Sequence, residues 1–119
     1  MKVSVGNFQL IFVLNWIYEI VSFLFLRKFF EMRIIVSQLD REELKEMDVY
    51  SWPVWEHDED KFDWYYDKTE YCYIIAGEAT VTSEFESLTI KPGDFIEFPA
   101  GLECVWDILS AIKKHYRFE

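Results

Sequence analysis

The chain has 119 residues, 51% of them apolar and 19% aromatic, which is enough material for one domain with a compact core. Its net charge of −10 at pH 7 argues against nucleic acid as a partner, because an acidic surface repels phosphate backbones. The two cysteines, Cys72 and Cys104, predict reduced thiols in the cytoplasm rather than a structural disulfide.

The chain opens with an apolar segment. Residues 8–26 contain only four polar side chains, and a helix of this length just reaches across a bilayer. Glu19 in its middle would cost roughly 2.5–3.5 kcal/mol on insertion scales. If the helix spans, Arg27 and Lys28 predict that the following domain lies on the cytoplasmic side.

Three interpretations of residues 1–31 stay open. They form a membrane anchor, or a helix that packs through residues 8–26 on a membrane surface or a partner, or a gene-model extension that ends before a true start at Met32. Under each of them, we expect the domain boundary between residues 1–31 and residues 32–119.

The second segment begins with a short helix and continues as strands. Asp40 and Glu43 predict a capping box for a helix that ends near Met47. From Trp52 onward, runs of β-branched and aromatic residues separated by turn residues predict eight short strands. They are expected at Val54–Glu56, Lys61–Tyr66, Glu70–Ala76, Ala79–Ser83, Leu88–Ile90, Phe95–Phe98, Cys104–Ile108 and Ile112–Phe118.

The joints between these strands contain turn residues. Gly77 predicts a chain reversal, Pro92-Gly93 suits the centre of a type II turn, and Pro99-Ala100-Gly101 predicts another sharp bend. Short strands at regular spacing without intervening helices favour an all-β fold, a closed antiparallel barrel or jelly roll, because closure removes exposed edges.

The same joints resemble the two-part signature of the cupins. Glu70 is followed after six residues by Gly77, and Gly93, Pro99 and Gly101 fall in the register of the second part. Other phrases resemble the small cupins of the ethanolamine-utilisation and (S)-ureidoglycine aminohydrolase branch, which are RmlC-like. These phrases cover most of residues 32–119: Trp52-Pro53-x-Trp55, Phe62-Asp63-Trp64-Tyr65-Tyr66-Asp67, Glu70-x-Cys72-Tyr73-Ile74, Gly101-Leu102-x-Cys104-x-Trp106 and Lys114-His115-Tyr116.

The resemblance implies a site that has lost most of its metal ligands. Metal-binding cupins use paired histidines, a glutamate and a further histidine. Here the paired positions fall on Asp63 and Tyr65 or on Trp64 and Tyr66, the glutamate is Glu70, and the last position is Cys104. We expect an interior without a metal ion. The alternative is a divalent ion on Glu70 and Cys104, with Asp63 or a tyrosine as third ligand.

Strand alternation places Glu70 and Cys72 on one face, and Cys104 and Trp106 on one face. With both faces inward, as the resemblance implies, these four side chains line a common cavity. Glu70 and Cys104 are then the candidate catalytic residues. The candidate ligand-binding residues are Trp64, Tyr66, Cys72, Trp106 and Lys114.

Each of these assignments has a structural alternative. The glutamate would be buried and satisfied by a tyrosine hydroxyl or a backbone amide, and the cysteines would be inert small hydrophobes. Lys114 would be a solvated edge lysine, and the aromatic residues would be plain barrel core.

The sequence therefore predicts a small cupin that binds a small polar or nitrogenous metabolite, and it leaves open whether the protein is an enzyme. One alternative is a metal-dependent hydrolase or isomerase that uses Glu70 and Cys104. The other is a non-enzymatic interaction protein, a homodimer formed through an edge strand and recruited to a membrane by residues 8–26.

Overall fold

The computed structural model describes residues 5–119, with side chains from Gln9 onward. Residues 1–4, the first part of the predicted N-terminal segment, lie outside the described residues. The chain divides into two compact units, with the boundary between Glu31 and Met32.

The N-terminal unit contains one long helix, α1 (Val5–Glu31). Nearly all of its described side chains are exposed, and Arg27 forms an ion pair of 3.0 Å with Glu31 near its end. From Gln9 to Glu31 the helix is long and apolar enough, by length and composition, to cross a membrane.

The second unit is a β-domain with one short helix, α2 (Arg41–Glu46). The predicted capping box is confirmed: Asp40 Oδ1 accepts from the backbone N–H of Glu43 at 2.8 Å, and Glu43 Oε2 accepts from the N–H of Asp40 at 3.1 Å. A 3₁₀ turn, Val49–Ser51, follows. The strands are β1 (Ile35–Ser37), β2 (Val54–His57), β3 (Asp60–Tyr65), β4 (Glu70–Ser83), β5 (Ser87–Ile90), β6 (Phe95–Phe98) and β7 (Glu103–Phe118).

All seven strands belong to one antiparallel sheet, in which the two long strands β4 and β7 pair along their whole length. The first part of β4 pairs with β6 and its last part with β5. The first part of β7 pairs with β3 and its last part with β2. Strand β1, which the sequence did not predict, adds to β6.

Gly77 is a bulge and not a chain reversal, so that prediction was wrong. Its φ is +88°, and a Cβ atom there would lie 2.0 Å from the carbonyl oxygen of Ala111. The pairing of β4 with β7 shifts register between Ile74 and Ala79 and then continues. Two pairs of predicted strands are therefore single long strands that bend, since a bulge bends a strand without ending it.

The two predicted proline–glycine turns are present. Gly93 has φ +92° and the N–H of Asp94 donates to the carbonyl of Lys91 at 3.1 Å, as expected for a type II turn. Gly101 has φ +93°, and the N–H of Leu102 donates to the carbonyl of Pro99 at 3.3 Å.

The sheet is not closed into a barrel. In residues 32–119, strands β1, β2, β3 and β5 each pair along one side only, so edges stay open, and the predicted closure was wrong. The sheet instead bends around a core to which both parts of β4 and β7 contribute. This core contains Ile34, Tyr66, Cys72, Ile74, Ala79, Val81, Ile90, Ile96, Phe98, Leu102, Cys104, Trp106, Ile108 and Ile112.

A second, smaller core covers the other face of β4 and β6. Leu44 of α2 and Val49 of the 3₁₀ turn pack there with Trp52 and Phe95. Because side chains alternate along β4, this outer core leaves the opposite face of the strand free to build the cavity described next.

Candidate functional site

A cavity of about 230 Å³ lies on the inner face of the sheet. Its walls are mainly aromatic, and two lining residues carry charge, Glu70 and Lys114. Strands β2, β3, β4 and β7 all contribute to it. The lining residues are Trp55, Phe62, Trp64, Tyr66, Glu70, Trp106, Lys114, Tyr116 and Phe118.

Glu70 and Lys114 form a buried ion pair. The Nζ atom of Lys114 donates to both carboxylate oxygens of Glu70, at 3.1 Å to Oε1 and 3.0 Å to Oε2. The side chain of Lys114 is only 7% exposed, and that of Glu70 only 4%. The alternative of a solvated edge lysine is therefore wrong.

Tyr66 completes the polar part of the cavity. Its hydroxyl donates to Glu70 Oε1 at 3.0 Å, which is the tyrosine partner considered for a buried glutamate. Burial, followed by the negative charge of Glu70, raises the pKa of Tyr66 well above 10.0. The hydroxyl stays protonated at neutral pH and remains a donor.

Two tryptophans cover the ammonium group of Lys114. Its Nζ lies 4.7 Å from the ring centroid of Trp106 and 4.9 Å from that of Trp55, within the range of a cation–π interaction. The cation is thus held by a carboxylate on one side and by ring faces on others.

The structure places the cysteines outside this cavity, in contrast to the predicted shared pocket. Cys72 is fully buried in the core, and Cys104 borders a separate depression that Asp63 and Tyr65 also line. Burial raises the pKa of Cys72 to about 12 and that of Cys104 to about 11. A nucleophilic role for Cys104 stays a prediction, and it is one that a protonated thiol does not favour.

Four lining residues were not among the predicted ones: Trp55, Phe62, Tyr116 and Phe118. The alternation of side chains contained the signal for three of them. Phe62 shares a face with Trp64, while Tyr116 and Phe118 share a face with Lys114. Trp55 depends on the pairing of β2 with β7, which puts it opposite Lys114.

The residues of this site do not fit a divalent metal ion. Both oxygens of Glu70 are already bound by Lys114. Of the positions aligned with the paired histidines, Trp64 and Tyr66 face the cavity, whereas Asp63 and Tyr65 line the separate depression. Among the described residues, no group of three or more His, Cys, Asp and Glu side chains is placed to hold a metal.

Comparisons with known proteins agree with this fold. The model of the EutQ-like cupin domain matches residues 44–116. A DUF861 family protein from Thermotoga maritima is 41% identical, with a TM-score of 0.71, and the match covers 73% of this chain and 100% of that one. No curated protein matches the chain.

Two solved EutQ structures share the fold at lower identity. The Clostridium difficile EutQ protein is 19% identical, with a TM-score of 0.51, over 71% of this chain and 66% of that one. A putative ethanolamine utilization protein from Salmonella typhimurium is 20% identical, with a TM-score of 0.51, over 71% and 68%. Since the family model matches more than half of its residues, this chain belongs to the EutQ-like cupin family.

Proposed function

We propose that the aromatic cavity binds a small polar metabolite. The observation that carries this proposal is the composition of the walls: seven aromatic side chains surround a single buried pair of opposite charges. Apolar walls with a few placed polar groups are typical of small-molecule sites.

The size of the cavity limits the ligand. Its volume of about 230 Å³ is below the roughly 300–1,000 Å³ typical of pockets for drug-sized molecules. A compact metabolite with a flat face suits it, because planar groups stack on aromatic rings.

The polar groups favour a ligand with both a donor and an acceptor. Glu70 has acceptor capacity left at Oε2, which receives one hydrogen bond, and Lys114 only donates. A nitrogenous compound with N–H and C=O groups meets both. The resemblance to the (S)-ureidoglycine aminohydrolase branch supports the same class.

A thermal-shift screen of small nitrogenous metabolites, joined with mass spectrometry of whatever co-purifies, tests this proposal. A binder should raise the melting temperature of the wild-type protein in proportion to the logarithm of its concentration. If no compound in the screen does so and nothing co-purifies, the proposal fails.

Two neighbouring residues provide a matched control. Trp64 lines the cavity and is 48% exposed, and Tyr65, which does not line it, is 57% exposed. Replacing Trp64 by Ala should weaken binding about two- to tenfold, since one aromatic contact contributes about 0.5–1.5 kcal/mol. Tyr65→Ala should leave the affinity unchanged.

A second function rests on α1. The stretch from Gln9 to Glu31 has 23 residues, and none of the residues in its most apolar part is buried. It is about 35 Å long at 1.5 Å per residue. This length matches the roughly 30 Å hydrocarbon core of a bilayer. With Arg27 and Lys28 at its end, α1 would anchor the cupin domain on the cytoplasmic side.

Fractionation of cells that express either the full chain or Met32–Glu119 tests the anchor. The full chain should sediment with membranes and resist extraction at alkaline pH, while the shorter chain should stay in the supernatant. Equal soluble behaviour of the two chains would refute the anchor.

A further inference from the structure

Glu70 stands at the position of a metal ligand. In metal-binding cupins the signature glutamate is a ligand of the ion, and Glu70 occupies that position here. We infer that Lys114 is the resident cation of this site. Its ammonium group binds Glu70 at the place where a metal-binding cupin holds its metal ion.

The geometry around the ammonium is that of an occupied cation site. One nitrogen contacts both oxygens of the same carboxylate, at 3.1 and 3.0 Å. The rings of Trp106 and Trp55 lie 4.7 and 4.9 Å from it. A divalent ion on Glu70 would either lie beside the ammonium group of Lys114, where the two positive charges repel each other, or displace that group and leave it buried and unpaired.

The other side chains that line the cavity provide no set of ligands for a metal ion. The remaining signature positions at the site are Trp64 and Tyr66, and the hydroxyl group of Tyr66 already donates its hydrogen bond to Glu70. Among the described residues that line the cavity, Glu70 is the only carboxylate. One carboxylate cannot hold a divalent ion against a lysine built into the same fold, since stable sites combine several oxygen, nitrogen or sulfur ligands.

A lysine differs from a metal in ways that affect function. Its charge is +1, it cannot be removed by a chelator, and it presents donors only. The site is therefore complete when the chain folds. This part of the inference does not depend on any ligand; the expectation that ligand binding is insensitive to chelators rests on the proposed function.

The first test measures metal on the wild-type protein. The full chain is incubated with excess Zn²⁺, Mn²⁺ or Ni²⁺, desalted, and measured by elemental analysis. We expect far less than one ion per chain, and a melting temperature that EDTA does not change. A stoichiometric ion that Glu70→Gln abolishes would overturn the inference.

The second test removes the lysine charge. Lys114→Met keeps most of the length of the side chain but leaves the charge of Glu70 unpaired, so the melting temperature of this variant should fall by at least about 10 °C. Divalent ions in large excess should then restore part of this loss by binding weakly to Glu70 at the vacated place. If the ions stabilise Lys114→Met no more than the wild type, the inference is wrong.

Two further variants control for folding and for surface effects. Glu70→Gln combined with Lys114→Met contains no lone buried charge, so it should fold and should not respond to metal. Lys113→Met removes the neighbouring lysine, which is 46% exposed and pairs with Glu56 at 3.4 Å. It should behave like the wild type. A metal response of the double variant equal to that of Lys114→Met would locate the ion elsewhere and count against the inference.

Discussion

At the scale of single residues, the buried pair of Glu70 and Lys114 dominates the site. A buried ion pair adds little net stability compared with apolar residues of the same size, yet breaking it is costly, because the remaining charge has lost both water and partner. We therefore expect the pair to specify the arrangement of the cavity more than it stabilises the fold.

Replacing Glu70 by Gln should lower the free energy of unfolding by about 3–5 kcal/mol, because Lys114 would lose its counter-ion in a buried site. Urea denaturation measures the loss. Glu56→Gln breaks the exposed pair with Lys113 and should cost less than about 1 kcal/mol. Equal losses in the two variants would contradict the buried pair.

The thiols make stability depend on alkaline pH. Burial raises the pKa of Cys72 to about 12 and of Cys104 to about 11, from an ordinary value of 9.0. Above pH 9 the unfolded chain releases these protons while the folded chain retains them, so the free energy of unfolding should fall as pH rises from about 9 to 11.

Urea denaturation at intervals between pH 7.5 and 11 measures this slope, and Cys72→Ala should flatten it. Tyr66 adds a further decrease above pH 10, for the same reason. A free energy of unfolding that stays constant to pH 11 would show that the thiols are not buried as described.

The sequence predicted which strand face each side chain lies on better than it predicted which side chains contact one another. Alternation placed Glu70 with Cys72 and Cys104 with Trp106, and the resemblance to the cupins implied that both faces point inward. All four side chains are buried. Alternation could not show which of them reach the cavity. Lys114 lies opposite Ile74, and Glu70 lies opposite Phe118, so the pair depends on two long side chains that extend toward each other along the strands.

At the scale of elements, the bends in β4 and β7 determine where the cavity lies. A glycine with positive φ suits a turn and a bulge equally well, and for this reason the sequence predicted a reversal at Gly77. The choice between them depends on whether pairing continues, and that is decided by residues of β7 more than 30 positions away in the chain.

Gly77→Ala should lower the free energy of unfolding by more than about 3 kcal/mol. The positive φ alone costs on the order of 1–3 kcal/mol, and the added Cβ would clash with the backbone of Ala111 at 2.0 Å. Thermal or urea denaturation measures the change.

Gly93→Ala is the matched control. Gly93 has a similar φ of +92°, but its nearest neighbour would lie 3.7 Å from the new Cβ, so the cost should be about 1–2 kcal/mol. If both alanine variants lose the same stability, the close contact at Ala111 is not important.

At the scale of the whole molecule, residues 32–119 contain both cores and the entire cavity. The Thermotoga maritima relative aligns over its full length with 73% of this chain. Both cores and the cavity are thus built from residues of this unit alone.

Met32–Glu119 expressed alone should therefore fold. Its melting temperature should lie within about 4 °C of that of the same domain in the full chain, which corresponds to a change of less than about 1 kcal/mol in the free energy of unfolding. Calorimetry of both chains in detergent measures this. A shorter chain that fails to unfold cooperatively would show that α1 supports the domain.

The pairing of β4 with β7 has a consequence for how the domain forms. Their partners lie between 21 residues apart, for Ser83 and Cys104, and 48 residues apart, for Glu70 and Phe118. Such non-local contacts slow folding to the millisecond-to-second range. Since both strands run through both parts of the sheet, neither part has a complete set of neighbours by itself, and amide hydrogens on either side of the bend should exchange in one concerted opening.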